Sequence, residues 1–143
     1  MATINTYLNF NGNTEEAFNF YKSVFGGEFI TLQKLKDTPD GDKLSEGEKE
    51  KIMHVALPIG TNMLMGTDVL ESMPQVIFGT NSSICISADS EEEARRLFDK
   101  LAVDGNVGMP LEKMFWGSLF GFLTDKFGVQ WMVDCQLEQP QQS

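Results

Sequence analysis

A chain of 143 residues is the size of one ordinary domain. At that length roughly two-thirds of the unfolded surface can be buried, so the core needs no disulfide or metal staple. Hydrophobic residues at 41% and charged residues at 22% exclude a disordered chain. Eleven Lys and Arg against 21 Asp and Glu give a net charge of −10. Such a charge repels phosphate backbones and anionic membranes, so neither nucleic acid nor a membrane surface is an expected partner, and solubility accounts for it most simply. No apolar run approaches the roughly 18 residues that span a bilayer. Residues 1–7 lack the basic and apolar blocks of a signal peptide, and the expected location is the cytoplasm. Cys85 and Cys135 each lie in an apolar, β-branched run and are expected to be reduced thiols acting as small core residues.

In chain order, residues 3–10 are rich in β-branched and aromatic types and predict a strand that ends at the turn Asn11-Gly12-Asn13. A helix follows, capped by Asn13 or Thr14, with Glu15 and Glu16 in its first turn where the helix dipole favours acids. Ala17, Phe18, Tyr21, Val24 and Phe25 form its apolar stripe, and Gly26-Gly27 stops it. Residues 28–35 predict a second strand. Residues 37–51 mix both charges with almost nothing apolar and predict a solvated loop. In residues 52–59, Met53, Val55, Leu57 and Ile59 alternate with His54, Ala56 and Pro58, the period of a strand with one packed face. Gly60-Thr61-Asn62 turns the chain, and residues 63–68 return it.

After a connector at 69–81 the pattern starts again. Residues 82–88 predict a strand with Ile84 and Ile86 on one face and Ser83, Cys85 and Ser87 on the other. Asp89 to Glu93 open a helix whose stripe is Ala94, Leu97, Phe98, Leu101 and Ala102, ended by Asp104-Gly105-Asn106. Strands are expected at 107–115, 119–124 and 129–137, followed by a polar, frayed tail at 138–143. The expected organisation is α+β, a single domain of two tandem βαβββ modules, 1–68 and 82–137.

The segment Tyr7-Leu8-Asn9-Phe10-Asn11-Gly12-Asn13-Thr14-Glu15-Glu16-Ala17, with Phe20-Tyr21 and Phe25-Gly26-Gly27-Glu28, resembles the PhnB-like branch of the vicinal oxygen chelate superfamily. That superfamily includes glyoxalase I, extradiol dioxygenases and fosfomycin- and bleomycin-resistance proteins. Met114-Phe115-Trp116-Gly117, Phe120-Gly121 and Thr124-Asp125-Lys126-Phe127-Gly128-Val129-Gln130-Trp131 carry the same resemblance. It implies a cup-shaped, partly closed mixed sheet with helices on its outer face, completed within one chain or across a dimer. It also implies a divalent metal on the cup floor, held by His, Glu or Gln from the first and last strand of each module. A methyltransferase label is used within that branch. It is set aside, because sulfonium-cofactor sites usually need a Rossmann-like order with a glycine-rich first loop.

Carried onto this chain, the ligand positions fall at Asn5 (or Thr6), Leu64, Ser83 and Met132. Leu cannot ligate, Met sulfur suits soft ions, and neutral oxygens bind weakly, so no metal and no other cofactor is expected. A slip of one residue would flip every side chain to the other face.

His54, the single histidine, is expected to face the cup. Its readings are a metal ligand, a pocket acid–base or hydrogen-bonding group, or a histidine merely satisfied by neighbours. Other cup-facing candidates by parity are Tyr7, Asn9, Cys85, Ser87, Phe120, Phe122, Gln130 and Asp134, the mixture of rings and polar groups that lines small-molecule pockets. Phe115-Trp116 and the connector's Met73, Val76, Ile77 and Phe78 are expected to bury a homodimer interface. The functional expectation is a small organic ligand held without the family metal. The alternative is an enzyme of lyase, isomerase or dioxygenase type, using a metal or His54. Ligand identity and turnover are not legible at this level.

Overall fold

A computed structural model describes residues 2–137; the tail expected at 138–143 lies outside the described residues. The chain forms two compact units that divide between Ile77 and Phe78, inside the expected connector. Each contains one four-stranded mixed sheet, in an α+β arrangement of βαβββ modules.

The first unit runs β1 (Thr6–Phe10), α1 (Thr14–Phe25), β2 (Thr31–Lys34), α2 (Glu46–Lys49), β3 (Ile52–Ile59) and β4 (Asn62–Asp68). Its sheet has the order β1-β4-β3-β2, with β1 parallel to β4 and the other pairs antiparallel. Alternation decides the faces. Phe10, Val55, Leu57, Leu64 and Gly66 are buried on the side that receives Ala17, Phe18, Tyr21 and Val24 of α1. Gly66 permits that contact: a Cβ there would lie 2.5 Å from the Phe18 ring, closer than packed carbon atoms approach. A two-residue turn, Gly60-Thr61, joins β3 to β4, with Gly60 at φ 59° as the tightest hairpins require.

Three local expectations are corrected. The first strand begins at Thr6 rather than residue 3, because the Asn5 side-chain oxygen, not its backbone, accepts the Met63 N–H at 3.2 Å. Neither Asn13 nor Thr14 supplies the cap of α1. The Asp68 carboxylate at the end of β4 does, accepting from the Gly12 and Thr14 N–H groups at 3.1 and 3.0 Å and from the Thr14 hydroxyl. The stretch expected as a solvated loop holds two short 3-10 turns, Leu35–Asp37 and Gly41–Lys43, and the single helical turn α2. The Ser45 hydroxyl caps α2 by accepting the Glu48 N–H at 3.3 Å. Glu50 ties the stretch to Lys34 at the end of β2 at 2.9 Å and to Lys36 of the first 3-10 turn at 3.0 Å. Those contacts hold the Lys34 ammonium above its ordinary pKa, first through its hydrogen bond to Glu50, and hold the Glu50 carboxyl below its own, first through Lys34.

The second unit runs β5 (Ile84–Ser87), α3 (Glu91–Ala102), β6 (Asn106–Lys113), β7 (Ser118–Thr124) and β8 (Gln130–Gln136), in the order β5-β8-β7-β6. Here the expected cap is present. The Ser90 hydroxyl accepts the Glu93 N–H at 3.1 Å, and the Glu93 carboxylate accepts the N–H of Asp89, the residue before the cap, at 3.0 Å. Ala94, Leu97, Phe98 and Leu101 of α3 are buried, as are Leu119, Leu123, Trp131, Val133 and Cys135 of the sheet. Gly121 plays the part of Gly66: its Cβ would lie 3.0 Å from the Phe98 ring. The five-residue β7–β8 loop closes on buried Asp125, whose carboxylate accepts from the Phe127 and Val129 N–H groups and, at 2.8 Å, from the Trp131 indole N–H.

Candidate functional site

In the first unit the face opposite α1 is built from alternate residues of four strands: Tyr7 and Asn9 of β1, Met63, Met65 and Thr67 of β4, His54 and Ala56 of β3, Thr31 and Gln33 of β2. Tyr7 stands beside Met65 and Met65 beside Ala56, while Gln33 is paired with His54. Tyr7 therefore reaches diagonally across β4, and its hydroxyl lies 3.2 Å from His54 Nδ1. The two rings are nearly parallel, 27° apart, with centroids separated by 5.7 Å. Tyr7 keeps 44% of its surface exposed. The Thr67 hydroxyl donates to the Met53 carbonyl at 2.8 Å and so serves the backbone. No Asp, Glu, Lys or Arg is among the residues named on this face.

The corresponding face of the second unit, opposite α3, carries Cys85 and Ser87 of β5, Gln130, Met132 and Asp134 of β8, and Phe120 and Phe122 of β7. The ladder sets Ser87, Asp134 and Phe120 in one row and Cys85, Met132 and Phe122 in the next. Phe122 is 40% exposed, and its ring lies over Gly108, where a Cβ would approach to 2.4 Å. The Gln130 side-chain amide donates one N–H to the Ser82 carbonyl at 2.5 Å, which holds the entry to β5 and fixes the orientation of the amide. Cys85 and Cys135 lie on opposite faces of this sheet and are both free; Cys135 is buried as expected of a core residue, but Cys85 is exposed, because its strand position turns it to the face away from α3. Burial, and then the neighbouring Asp134 carboxylate, raise both thiol pKa values above the ordinary range.

The family's ligand positions need one correction. Leu64 and Met132 do not correspond. Leu64 is buried on the α1 side, whereas Met132 lies on the face opposite α3. The residue that shares Met132's place is Met65, paired with Tyr7 as Met132 is with Cys85. The slip comes from the hairpins: the β3–β4 turn has two residues and the β7–β8 loop five, so counting from Gly60 and Gly128 loses register by one. The corrected set, Asn5, Met65, Ser83 and Met132, offers two thioethers, a hydroxyl, and an amide oxygen already accepting the Met63 N–H. It does not fit a hard or borderline divalent ion. Among the described residues, no three His, Cys, Asp or Glu side chains gather as a metal site.

The α+β fold is shared with a glyoxalase/bleomycin resistance protein from Albidiferax ferrireducens at 13% identity and TM-score 0.61, over 93% of this chain and 98% of that one. The chain belongs to the PhnB-like family described as 3-demethylubiquinone-9 3-methyltransferase, whose model matches residues 2–134. It is 40% identical to protein PA1353 from Pseudomonas aeruginosa, with TM-score 0.86 over 96% of this chain and all (100%) of that one. It is 29% identical to the PhnB protein from Bacillus cereus, with TM-score 0.73 over 94% and 99% of the two chains. Protein YjdN of Escherichia coli is 29% identical over 97% of this chain and 99% of its own.

The family's description names methyl transfer, and the first strand–helix turn is not the glycine-rich first loop that sulfonium-cofactor sites usually have. It contains one glycine, and its Gly12 and Thr14 N–H groups are both given to Asp68. Parity put Tyr7, Asn9 and His54 on the first face and Cys85, Ser87, Phe120, Phe122, Gln130 and Asp134 on the second, but left out Met65, Thr31 and Gln33 and missed the Tyr7–His54 bond. No spacing signals it, because it depends on β4 lying between β1 and β3.

Proposed function

We propose that this chain binds a small organic molecule against the sheet face of the first unit opposite α1, without the metal that its resemblance implies. The hydrogen-bonded Tyr7–His54 pair carries this reading: an exposed ring and an imidazole, held together on a face with no Asp, Glu, Lys or Arg among its named residues, supply apolar contact and a polar anchor of the kind small-molecule sites use. Met65 adds adaptable apolar surface. Asn9 is the further polar candidate on that face; the second unit's own face offers Phe120, Phe122, Cys85, Ser87 and Asp134.

The same pair favours one second reading, an enzyme in which His54 moves a proton with Tyr7 as its partner. The two readings separate by experiment. A thermal-shift screen of small metabolites identifies a ligand, and incubation with that compound, followed by mass analysis, shows whether it leaves unchanged. Stabilisation follows RT ln(1 + [L]/Kd), about 2.7 kcal/mol at a hundredfold excess over Kd. A compound that stabilises and is recovered intact supports binding. A converted compound, with conversion lost in His54→Ala, supports the enzyme.

Two further proposals concern state and place. Phe115 at 97% and Ile77 at 92% exposure, with Met73, Phe78 and Trp116 also exposed, leave apolar surface that a homodimer would bury. Light scattering that gives a monomer mass at micromolar concentration would remove the dimer. Two thiols unable to pair within their sheet suit a reducing compartment such as the cytoplasm. No helix among the described residues is long and apolar enough to cross a membrane.

A further inference from the structure

We infer that Tyr7 is a positioning residue: its phenol donates to His54 Nδ1, fixes the imidazole with its proton on Nε2, and turns the face opposite α1 into a directed N–H donor for an acceptor oxygen of the ligand. The contact fixes the partners and the chemistry argues the direction. Tyr7 Oη and Nδ1 stand 3.2 Å apart, within hydrogen-bond reach, with the two rings 27° from parallel. A phenol is a good donor and a neutral imidazole nitrogen a good acceptor, and a neutral imidazole has one nitrogen of each kind. Accepting at Nδ1 therefore leaves Nε2 as the donor.

The surroundings narrow the ligand class. Thr67, the β4 residue between Asn9 and the β3 strand, is occupied by the Met53 carbonyl and does not compete for the imidazole. No carboxylate that would demand a cationic ligand is among the residues named on this face. The matching ligand is a neutral or singly anionic molecule that presents a carbonyl or carboxylate oxygen to Nε2 and an apolar surface to the Tyr7 ring. The ligand half of this inference rests on the small-molecule reading above; the tautomer half does not.

His54 is the chain's only histidine, so its ring nitrogens give an unambiguous long-range proton–nitrogen correlation spectrum. At a pH where the ring is neutral, the wild-type chain should show Nδ1 at an unprotonated shift and Nε2 at a protonated one. In Tyr7→Phe the two resonances should move toward each other as the tautomers mix. A wild-type spectrum with the proton on Nδ1, or wild-type and Tyr7→Phe spectra that coincide, overturns the inference. Should Tyr7→Phe fail to fold, the wild-type spectrum alone decides: nitrogen shifts that are averaged rather than separated overturn the inference, and a protonated Nε2 with a protected Tyr7 hydroxyl proton coupled to Nδ1 supports it. Reversed nitrogens leave the small-molecule reading standing, whereas a screen without ligands removes that reading and leaves the tautomer in place.

Discussion

Replacing Asp68 with alanine should be among the most damaging single changes in the first unit. Its carboxylate is 7% exposed and accepts four bonds: the Gly12 N–H, the Thr14 N–H and the Thr14 hydroxyl on Oδ1, and the Ile52 N–H at 2.8 Å on Oδ2. Alanine removes the cap of α1, worth about 1 kcal/mol. It also leaves the buried Thr14 and Ile52 donors without this acceptor, at about 1–3 kcal/mol each. The total, about 3–7 kcal/mol, is a large part of the roughly 5–15 kcal/mol that holds a domain of this size folded. Asp68→Asn should cost less, about 1–3 kcal/mol, because its amide oxygen can keep the three Oδ1 bonds while its NH2 faces the Ile52 N–H. Urea unfolding followed by circular dichroism gives the sizes. Both tryptophans, Trp116 and Trp131, belong to the second unit, so their fluorescence reports that unit alone. Hydrogen exchange at the Thr14 and Ile52 amides reports the first. Asp68→Ala within about 1 kcal/mol of wild type, or no less stable than Asp68→Asn, would refute the assigned role.

Gly66→Ala should cost about 1–3 kcal/mol through the clash with Phe18, and Phe18→Leu should recover part of that loss in a double-mutant cycle measured by denaturant. At pH 8, alkylation should modify Cys85 more slowly than free cysteine and Cys135 only on unfolding, because burial disfavours both thiolates; mass spectrometry of a time course reads this directly. His54→Ala should leave stability within about 0.5 kcal/mol of wild type, since the pair is exposed, while abolishing the thermal shift given by a ligand of the wild-type chain. The Lys34–Glu50 contact has a defined pH window. Glu50's lowered pKa gives stability that is present above its unfolded pKa and lost as pH falls through the folded one; Lys34's raised pKa gives stability lost as pH rises through its folded value. Glu50→Gln should therefore differ from wild type at neutral pH and converge with it in acid, as read by thermal melts across pH.

The legible part of the fold is the part fixed by local pattern. The alternation across 52–59 gave β3 its bounds and sent His54 to the face away from the helix. The stripe from Ala17 to Phe25 and the stop at Gly26 gave α1, because amphipathic spacing and a left-handed stop act within a few residues. What stayed hidden depends on partners distant in sequence. Asp68 caps a helix 54 residues earlier, and Tyr7 finds a histidine 47 residues later across an intervening strand. The misplacement of Leu64 has the same origin: hairpin length, which sets register, cannot be counted from a glycine whose turn type is unknown. The loop at 37–51 hid its helical turn because charged composition masked the Ser45–Glu48 cap.

The central claim is that the face bearing Tyr7 and His54 holds an organic ligand without an ion. A metabolite thermal-shift screen of wild type and His54→Ala, each with and without a strong chelator, tests it most directly. The account predicts a compound that raises the melting temperature of wild type but not of His54→Ala, by the same amount whether or not chelator is present. A shift that appears only when zinc, nickel or iron is supplied, or one of equal size in His54→Ala, would contradict it.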